Sequence, residues 1–463
     1  MVWEEAGVAV TDPQHSVTDA AEDCNTPPPV QRVAGTEPRV CGEVPRTHKT
    51  LRALSSAALA LPGLASSVQA TAAMERQWDL GYFNYVEGGA RMRVEGLKQG
   101  LVLPLGEALE LRVNGVRDTI SGASPIYNVP VIRCRDGRVF TAPVISVSGA
   151  SGNPQSGGPP PERPPLNTGE CRLSSAQQVL LEDTFQDVRT AGDFKLDYTR
   201  GDTILGLGAG VSQERDYDSR FLALDLRRAF NDKLTTLALG YSLAADTFSP
   251  LNRPGFSGDK DAHQFLLGLT QVLSRNDLLQ INLTLGDDRG YLSDPYKNVY
   301  LLATNTAIEE SRPDRRRQWN LLARYNHYFA ELKAALHLDY RYSWSDWGIE
   351  AQTLEAAWIQ PLGQGWQLVP RLRYYTQGEA DFYRSYFETL PSSGDYSSDY
   401  RLAGFGALSG GLKLTRQLSA QARLDLGVEF YDRQSDYGLQ GHTESTFADY
   451  GFTLYSLSLH LEF

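Results

Sequence analysis

The chain has 463 residues and carries 44 basic against 56 acidic side chains, a net charge of −12. That balance argues against nucleic acid as a partner, because phosphate backbones are bound through clustered Lys and Arg. No run approaches the roughly 20 apolar residues that a membrane helix requires. A helical membrane protein is excluded, but not a β-barrel, in which only alternate residues meet lipid.

Residues 1–43 are acidic, contain Pro and hold Cys24 and Cys41. They read as a doubtful leader from a mis-assigned start, with translation expected to begin near Val44. Residues 44–70 read as a secretory signal peptide. Arg46, His48, Lys49 and Arg52 precede an apolar run over 53–64, and small residues follow it. Val68 and Ala70 suit cleavage after Ala70, with Ala72 as the second choice. Export leaves 71–463 as the mature chain, with a net charge of about −9. An acidic exported surface suits cationic ions that bridge it to lipopolysaccharide.

The mature chain breaks into segments of period two, as strands with one apolar and one polar face do. Leu109, Leu111 and Val113 alternate with Glu110, Arg112 and Asn114, and Leu222, Leu224 and Leu226 with Ala223, Asp225 and Arg227. Further segments run through Leu237–Leu243 and Leu279–Leu285. Leu336, Leu338, Tyr340 and Tyr342 interleave with His337, Asp339 and Arg341, and Leu372 and Tyr374 with Arg371 and Arg373. Leu424, Leu426, Val428 and Phe430 interleave with Arg423, Asp425 and Glu429. Short turns are expected at 104–108, 200–202, 231–233, 274–277, 330–331, 361–365 and 415–417, and most connections between them are longer. This predicts an all-β fold, a transmembrane antiparallel β-barrel of about 16 strands with long external loops and both ends on the periplasmic side. The strand over 400–414 is the least regular, and Gly404, Gly406, Gly410 and Gly411 predict a bulge there.

An external loop insertion is expected over about 118–189, stiffened by the proline-rich stretch 157–165. It holds Cys134 and Cys171, the two cysteines of the exported chain, and an oxidising compartment suggests that they form a disulfide. Neither has neighbours with zinc-ligand spacing, so no metal and no cofactor are expected. Asp259, Asp261, Asp287, Asp288 and Asp294 make outer loops acidic without EF-hand spacing. Trp319, Trp344, Trp347, Trp358 and Trp366, with Tyr82 and Tyr328, fall near predicted strand ends and suit interfacial girdles. Trp344 and Trp347 also suit stacking on an external sugar.

The polar faces supply the candidate lumen lining: Glu110, Arg112, Asp225, Arg227, His337, Asp339, Arg341, Arg371, Arg373, Arg423, Asp425 and Glu429. Opposite charges across a wet lumen can select permeants, and they can also simply pair between neighbouring strands. The latter reading carries more weight. His337 and Asp339 face the same way, as a proton-relaying dyad would, but no Ser nucleophile stands beside them. The chain ends on Tyr455, Leu457, Leu459, Leu461 and Phe463 against Ser456, Ser458, His460 and Glu462. This final aromatic strand resembles the insertion signal of Gram-negative outer-membrane proteins.

Several segments together carry a family resemblance: DTISGASP (118–125), GYLSDPYK (290–297), RPDRRR (312–317), LHLDYRY (336–342), DWGI (346–349), WQLVPRLRYY (366–375) and YSSDYRLAGFGALSGG (396–411). The chain resembles the bacterial outer-membrane barrel family catalogued as domain of unknown function 3570. The resemblance implies an outer-membrane barrel without an assigned substrate, and a loose association with periplasmic flavin attachment and thioredoxin-like proteins. The stretch 133–171 looks like an insertion relative to the family pattern.

The expected function is a passive channel or export conduit for a small solute, in the outer membrane of a Gram-negative bacterium and without catalysis. The alternative is a side-chain-filled barrel that binds or anchors at the surface; an envelope hydrolase has little support. Expected partners are outer-membrane lipid, lipopolysaccharide and the barrel-insertion machinery, with no nucleic acid. Mass spectrometry of the mature protein should find Thr71 at the N-terminus. Peptides from 1–43 would contradict the assignment of leader and signal.

Overall fold

The computed structural model describes residues 76–122, 125–141, 171–180, 185–440 and 449–463. The leader, the signal peptide, Cys24, Cys41 and the proline-rich stretch lie outside these residues. Strands begin with β1 Gln77–Glu87, β2 Met92–Leu105, β3 Leu109–Gly122, β4 Pro125–Cys134, β5 Val139–Thr141, β6 Cys171–Leu180 and β7 Phe185–Arg200. They continue with β8 Thr203–Gln213, β9 Tyr217–Phe230, β10 Thr235–Phe248, β11 Gly258–Val272, β12 Asp277–Gly290, β13 Asn298–Leu301 and β14 Thr306–Glu309. The last are β15 Arg315–Phe329, β16 Ala334–Ser345, β17 Glu350–Gly363, β18 Trp366–Gln377, β19 Phe405–Gln417, β20 Ala422–Gln434 and β21 Tyr450–Glu462.

Sixteen of these close into one antiparallel barrel, in the order β1-β2-β3-β7-β8-β9-β10-β11-β12-β15-β16-β17-β18-β19-β20-β21. β21 returns to β1, from Gln77 opposite Glu462 to Glu87 opposite Phe452. Closure leaves no edge, so every strand can satisfy its backbone in lipid. Period two fixes which residues face out. Leu80 opposes Leu459 and Leu354 opposes Tyr374, so apolar rows are continuous across strands. Leu372 and Phe430 are 63% and 59% exposed. On a soluble protein such a surface would be a large sticky patch, whereas around a barrel it is the lipid belt.

Turns at one end are short, and their backbones use the left-handed region: Asn231, Asp232 and Lys233 all have positive φ between β9 and β10. Trp319 faces Trp344 across β15 and β16 near the opposite end. At the short-turn end Trp358 packs 5.2 Å from Phe329, and the Arg416 guanidinium lies 4.8 Å over Trp366.

Five expectations need correction. Trp347 is no girdle residue: it is 5% exposed, because the turn between β16 and β17 folds inward. Tyr82 sits mid-strand, opposite Leu97 and Leu457. The strand expected from 400 begins at Phe405, after a short 3-10 turn Tyr400–Leu402, and ends at Gln417, so the turn expected at 415–417 falls at 418–421. It pairs in register with both neighbours, and the barrel's shift instead lies between Pro361 and Gly363, where β17 carries a proline that cannot donate to the ladder.

The long connection after β3 has a framework of its own, the three-stranded sheet β5-β4-β6. Cys134 and Cys171 oppose each other in its register and are joined as a disulfide.

Leu372→Arg places a charge on the lipid face near mid-strand. It should destabilise the folded barrel by about 2–4 kcal/mol, measured by guanidinium unfolding in lipid vesicles. The same change at exposed Leu439, in an external loop, should have little effect.

Candidate functional site

The external ends of the strands carry a folded layer of loops. The connection between β12 and β15 contributes the hairpin β13-β14, and the 378–404 connection leans across it through backbone bonds such as Phe387 N–H to Tyr300 O at 3.0 Å. Tyr127 and Val129 of β4 pack on Tyr300, and the Asn128 amide donates to Ser398 O at 2.9 Å. Trp347, Ile349, Ala380, Tyr383, Leu402 and Ala403 form a second apolar cluster, and the Trp347 indole donates to Arg315 O at 2.9 Å. On the adjoining inner wall Phe83, Tyr85, Met92, Val94, Phe405, Tyr431 and Phe452 form a third. Arg433 is fully buried beside it, 3.4 Å over the Phe405 ring, and donates to Tyr400 O at 2.6 Å.

An ionic knot ties these loops together. Arg312 binds Glu310 at 2.7 Å and Asp399 at 2.6 Å, while Arg401 binds Asp399 and, at 2.8 Å, Asp294. Ser397 Oγ donates to Glu310, and the Asp294 backbone N–H donates to Glu310 at 2.6 Å. Burial alone would raise the Asp399 carboxyl, but Arg401, Lys297 and Arg312 outweigh it and hold it well below the usual carboxylate range. Burial pushes Lys297 down and Glu310 up, despite the opposite charges around each. Ions withdrawn from water this completely are stable only while each keeps its partners.

Below the layer lies a cavity of about 260 Å³. Its wall includes Asp288, Arg316, Arg341, Arg373, Tyr375 and Trp347, with Arg312 and Arg401 above. The Arg316 guanidinium lies 4.8 Å over the Trp347 ring and directly opposite Asp288 in the register. Arg373 is buried, whereas Arg341 is exposed towards the interior. Such a site can hold a polar or anionic group by charge and hydrogen bonding.

The remaining inward charges pair along the wall. Arg112 binds Glu110 at 2.6 Å. Asp225 and Arg227 join Lys195 and Asp197 of β7: Lys195 reaches Asp225 at 2.8 Å and Arg227 reaches Asp197 at 3.0 Å, over β8. Gly206 of β8 makes this possible, since a Cβ there would lie 2.2 Å from Asp225 Oδ1. Arg371 binds Glu355 at 2.7 Å and approaches Glu429 at 3.8 Å over Gly411 of β19. Arg423 lies 3.8 Å from Asp425.

Arg324 takes both carboxylate oxygens of Asp339, so that acid is committed to a neighbouring strand, and half-buried His337 faces Asn326 and Ala357 in the register. Close His–Asp contacts occur elsewhere, His327 with Asp277 at 2.6 Å and His460 with Asp79 at 3.0 Å. Of the acidic residues expected on outer loops, Asp259 and Asp261 lie on β11 and Asp287 and Asp288 on β12, while Asp294 belongs to the buried knot. Lys195 and Asp197 are missing from the candidate lining, although the alternation of Phe194, Leu196 and Tyr198 could have pointed to them. The loop contacts had no periodic signal.

A family model described as "Protein of unknown function (DUF3570)" matches residues 51–257 and 252–454. The chain belongs to the DUF3570 family. No curated protein matches it. Among solved structures this DUF3570 member is similar to CdiB from Acinetobacter baumannii, at 9% identity and a TM-score of 0.45, covering 84% of this chain and 60% of that one. It is also similar to the ferric enterobactin receptor of Pseudomonas aeruginosa, at 11% identity and a TM-score of 0.38, covering 78% and 54%. OpdK from Pseudomonas aeruginosa matches at 10% identity and a TM-score of 0.39, covering 84% and 99%. The DUF3570 chain thus spans about half to three fifths of the first two proteins' length.

Asp399→Asn leaves Arg401 and Arg312 short of a buried counter-charge. It should destabilise the loop layer by about 3–5 kcal/mol, seen as faster tryptic cleavage at exposed Arg384 in the folded barrel. Unchanged cleavage would contradict the role given to the knot.

Proposed function

We propose that this protein is a passive channel of the Gram-negative outer membrane, without catalysis, that passes or helps export a small polar solute. One observation carries the reading. Among the described residues, every ion pair of the strand walls joins residues of one strand, of adjacent strands or of strands two apart, so the pairs run along the wall rather than across the interior. Arg341 extends into that interior while remaining exposed. Glycines at inward positions provide the recesses that let charges pair along the wall. The cavity under the loops carries more basic than acidic side chains on its wall, which favours a permeant with an anionic group.

Lipid, lipopolysaccharide and the insertion machinery are the partners that follow from this reading. A second reading rests on the loop layer, whose own sheet and buried knot make a rigid external surface suited to binding. Planar-bilayer recording separates the two. The refolded protein should give a steady small conductance with anion preference, and Arg341→Ala should lower that preference. The absence of any steady open state would favour the binding surface instead.

A further inference from the structure

Three carboxylates meet at the external rim, away from the cavity. Asp187 stands near the external start of β7, and Glu214 and Asp216 form the turn between β8 and β9. One carboxylate oxygen from each lies within 4.8 Å of the other two. Asp187 and Asp216 are each 3% exposed. Asp187 Oδ1 accepts the Val188 backbone N–H at 2.8 Å, but its Oδ2 and both oxygens of Glu214 are buried without a hydrogen-bond partner.

Arg189, whose charge reaches Glu214, is committed to Asp118 through two bonds of 2.9 and 2.7 Å. Arg215 is exposed, but its charge and its backbone N–H act on Asp187. Buried carboxylate oxygens facing one another in this way call for a cation.

We propose that Asp187, Glu214 and Asp216 form a Ca²⁺ site that locks the external mouth. All three ligands are hard oxygens, without the His or Cys that zinc prefers. Calcium takes such oxygen ligands at about 2.3–2.6 Å in flexible geometry, whereas magnesium demands near-ideal octahedral geometry at about 2.0–2.1 Å and gives up its waters reluctantly. The site is also connected to the loop layer. The Tyr296 hydroxyl donates to Asp216 and accepts the Leu251 backbone N–H at 3.0 Å, and the Ser249 N–H donates to Asp216 O at 2.9 Å. An ion here would hold β7, the β8–β9 turn, the β10–β11 connection and the β12–β15 connection as one unit.

Terbium luminescence tests this on refolded mature protein stripped with EDTA, because Tyr296 touches a ligand and can sensitise the ion. Saturable emission is expected, displaced by Ca²⁺ with a Kd of about 10⁻⁴ to 10⁻³ M, the range of extracellular sites. Mg²⁺ should compete at least about ten-fold more weakly, as its shorter bonds require. Glu214→Gln should weaken Ca²⁺ at least about ten-fold, the loss of one charged ligand. Asp187→Asn serves as a second variant, and a heat-dependent gel shift verifies that each is folded. No saturable emission, or emission and displacement unchanged in both folded variants, would overturn the proposal.

Discussion

The pairing of β21 with β1 is the constraint on which everything else depends. In hydrocarbon an unpaired N–H or C=O costs several kcal/mol, so a sheet of this size is tolerated only without an edge. The continuous register from Gln77 and Glu462 to Glu87 and Phe452 removes that edge. Once the cylinder is closed, alternation must put one residue in two towards lipid, and the leucine-rich rows follow. The same alternation delivers charges to the interior, where they must find partners or water.

How the interior handles those charges depends on small residues as much as on charged ones. Gly206 lets Lys195 and Arg227 reach over β8, and Gly411 leaves space between Arg371 and Glu429. Gly96 likewise leaves space for the Phe83 ring, which a Cβ would meet at 2.2 Å. Among the described residues, wall-parallel pairing gives these charges partners on the barrel's own strands. At the external end the solution is different: apolar clusters and a net-neutral knot of Asp294, Lys297, Glu310, Arg312, Asp399 and Arg401 make a protein-like core above the membrane. A channel reading and a rigid mouth are therefore compatible within one molecule, with polar walls below and a packed roof above.

The barrel was legible in the sequence because its rule is local. Leu336 to Tyr342 against His337 to Arg341 is enough to define a face, and a turn such as 231–233 is enough to set an end. Where the rule is broken by tertiary contact, the reading failed. Trp347 looks interfacial from its spacing, yet its turn folds inward onto Ala380 and Tyr383, more than 30 residues away in sequence. The glycines of β19 suggested a bulge but keep register, because a bulge needs an extra residue rather than a missing side chain. Asp294, Asp399 and Arg401 carry no period and meet only when two loops fold over each other. The Asp187, Glu214 and Asp216 cluster is equally non-local, joined by a register that sequence alone does not give.

The central claim is a closed cylinder whose alternate residues face lipid and water, and spin-label scanning of β16 from Leu338 to Trp344 tests it most directly. Collision with oxygen should peak at Leu338, Tyr340, Tyr342 and Trp344, and collision with a water-soluble nickel chelate should peak at Asp339, Arg341 and Ser343. Two profiles in phase with each other, or water accessibility at every position, would contradict the account.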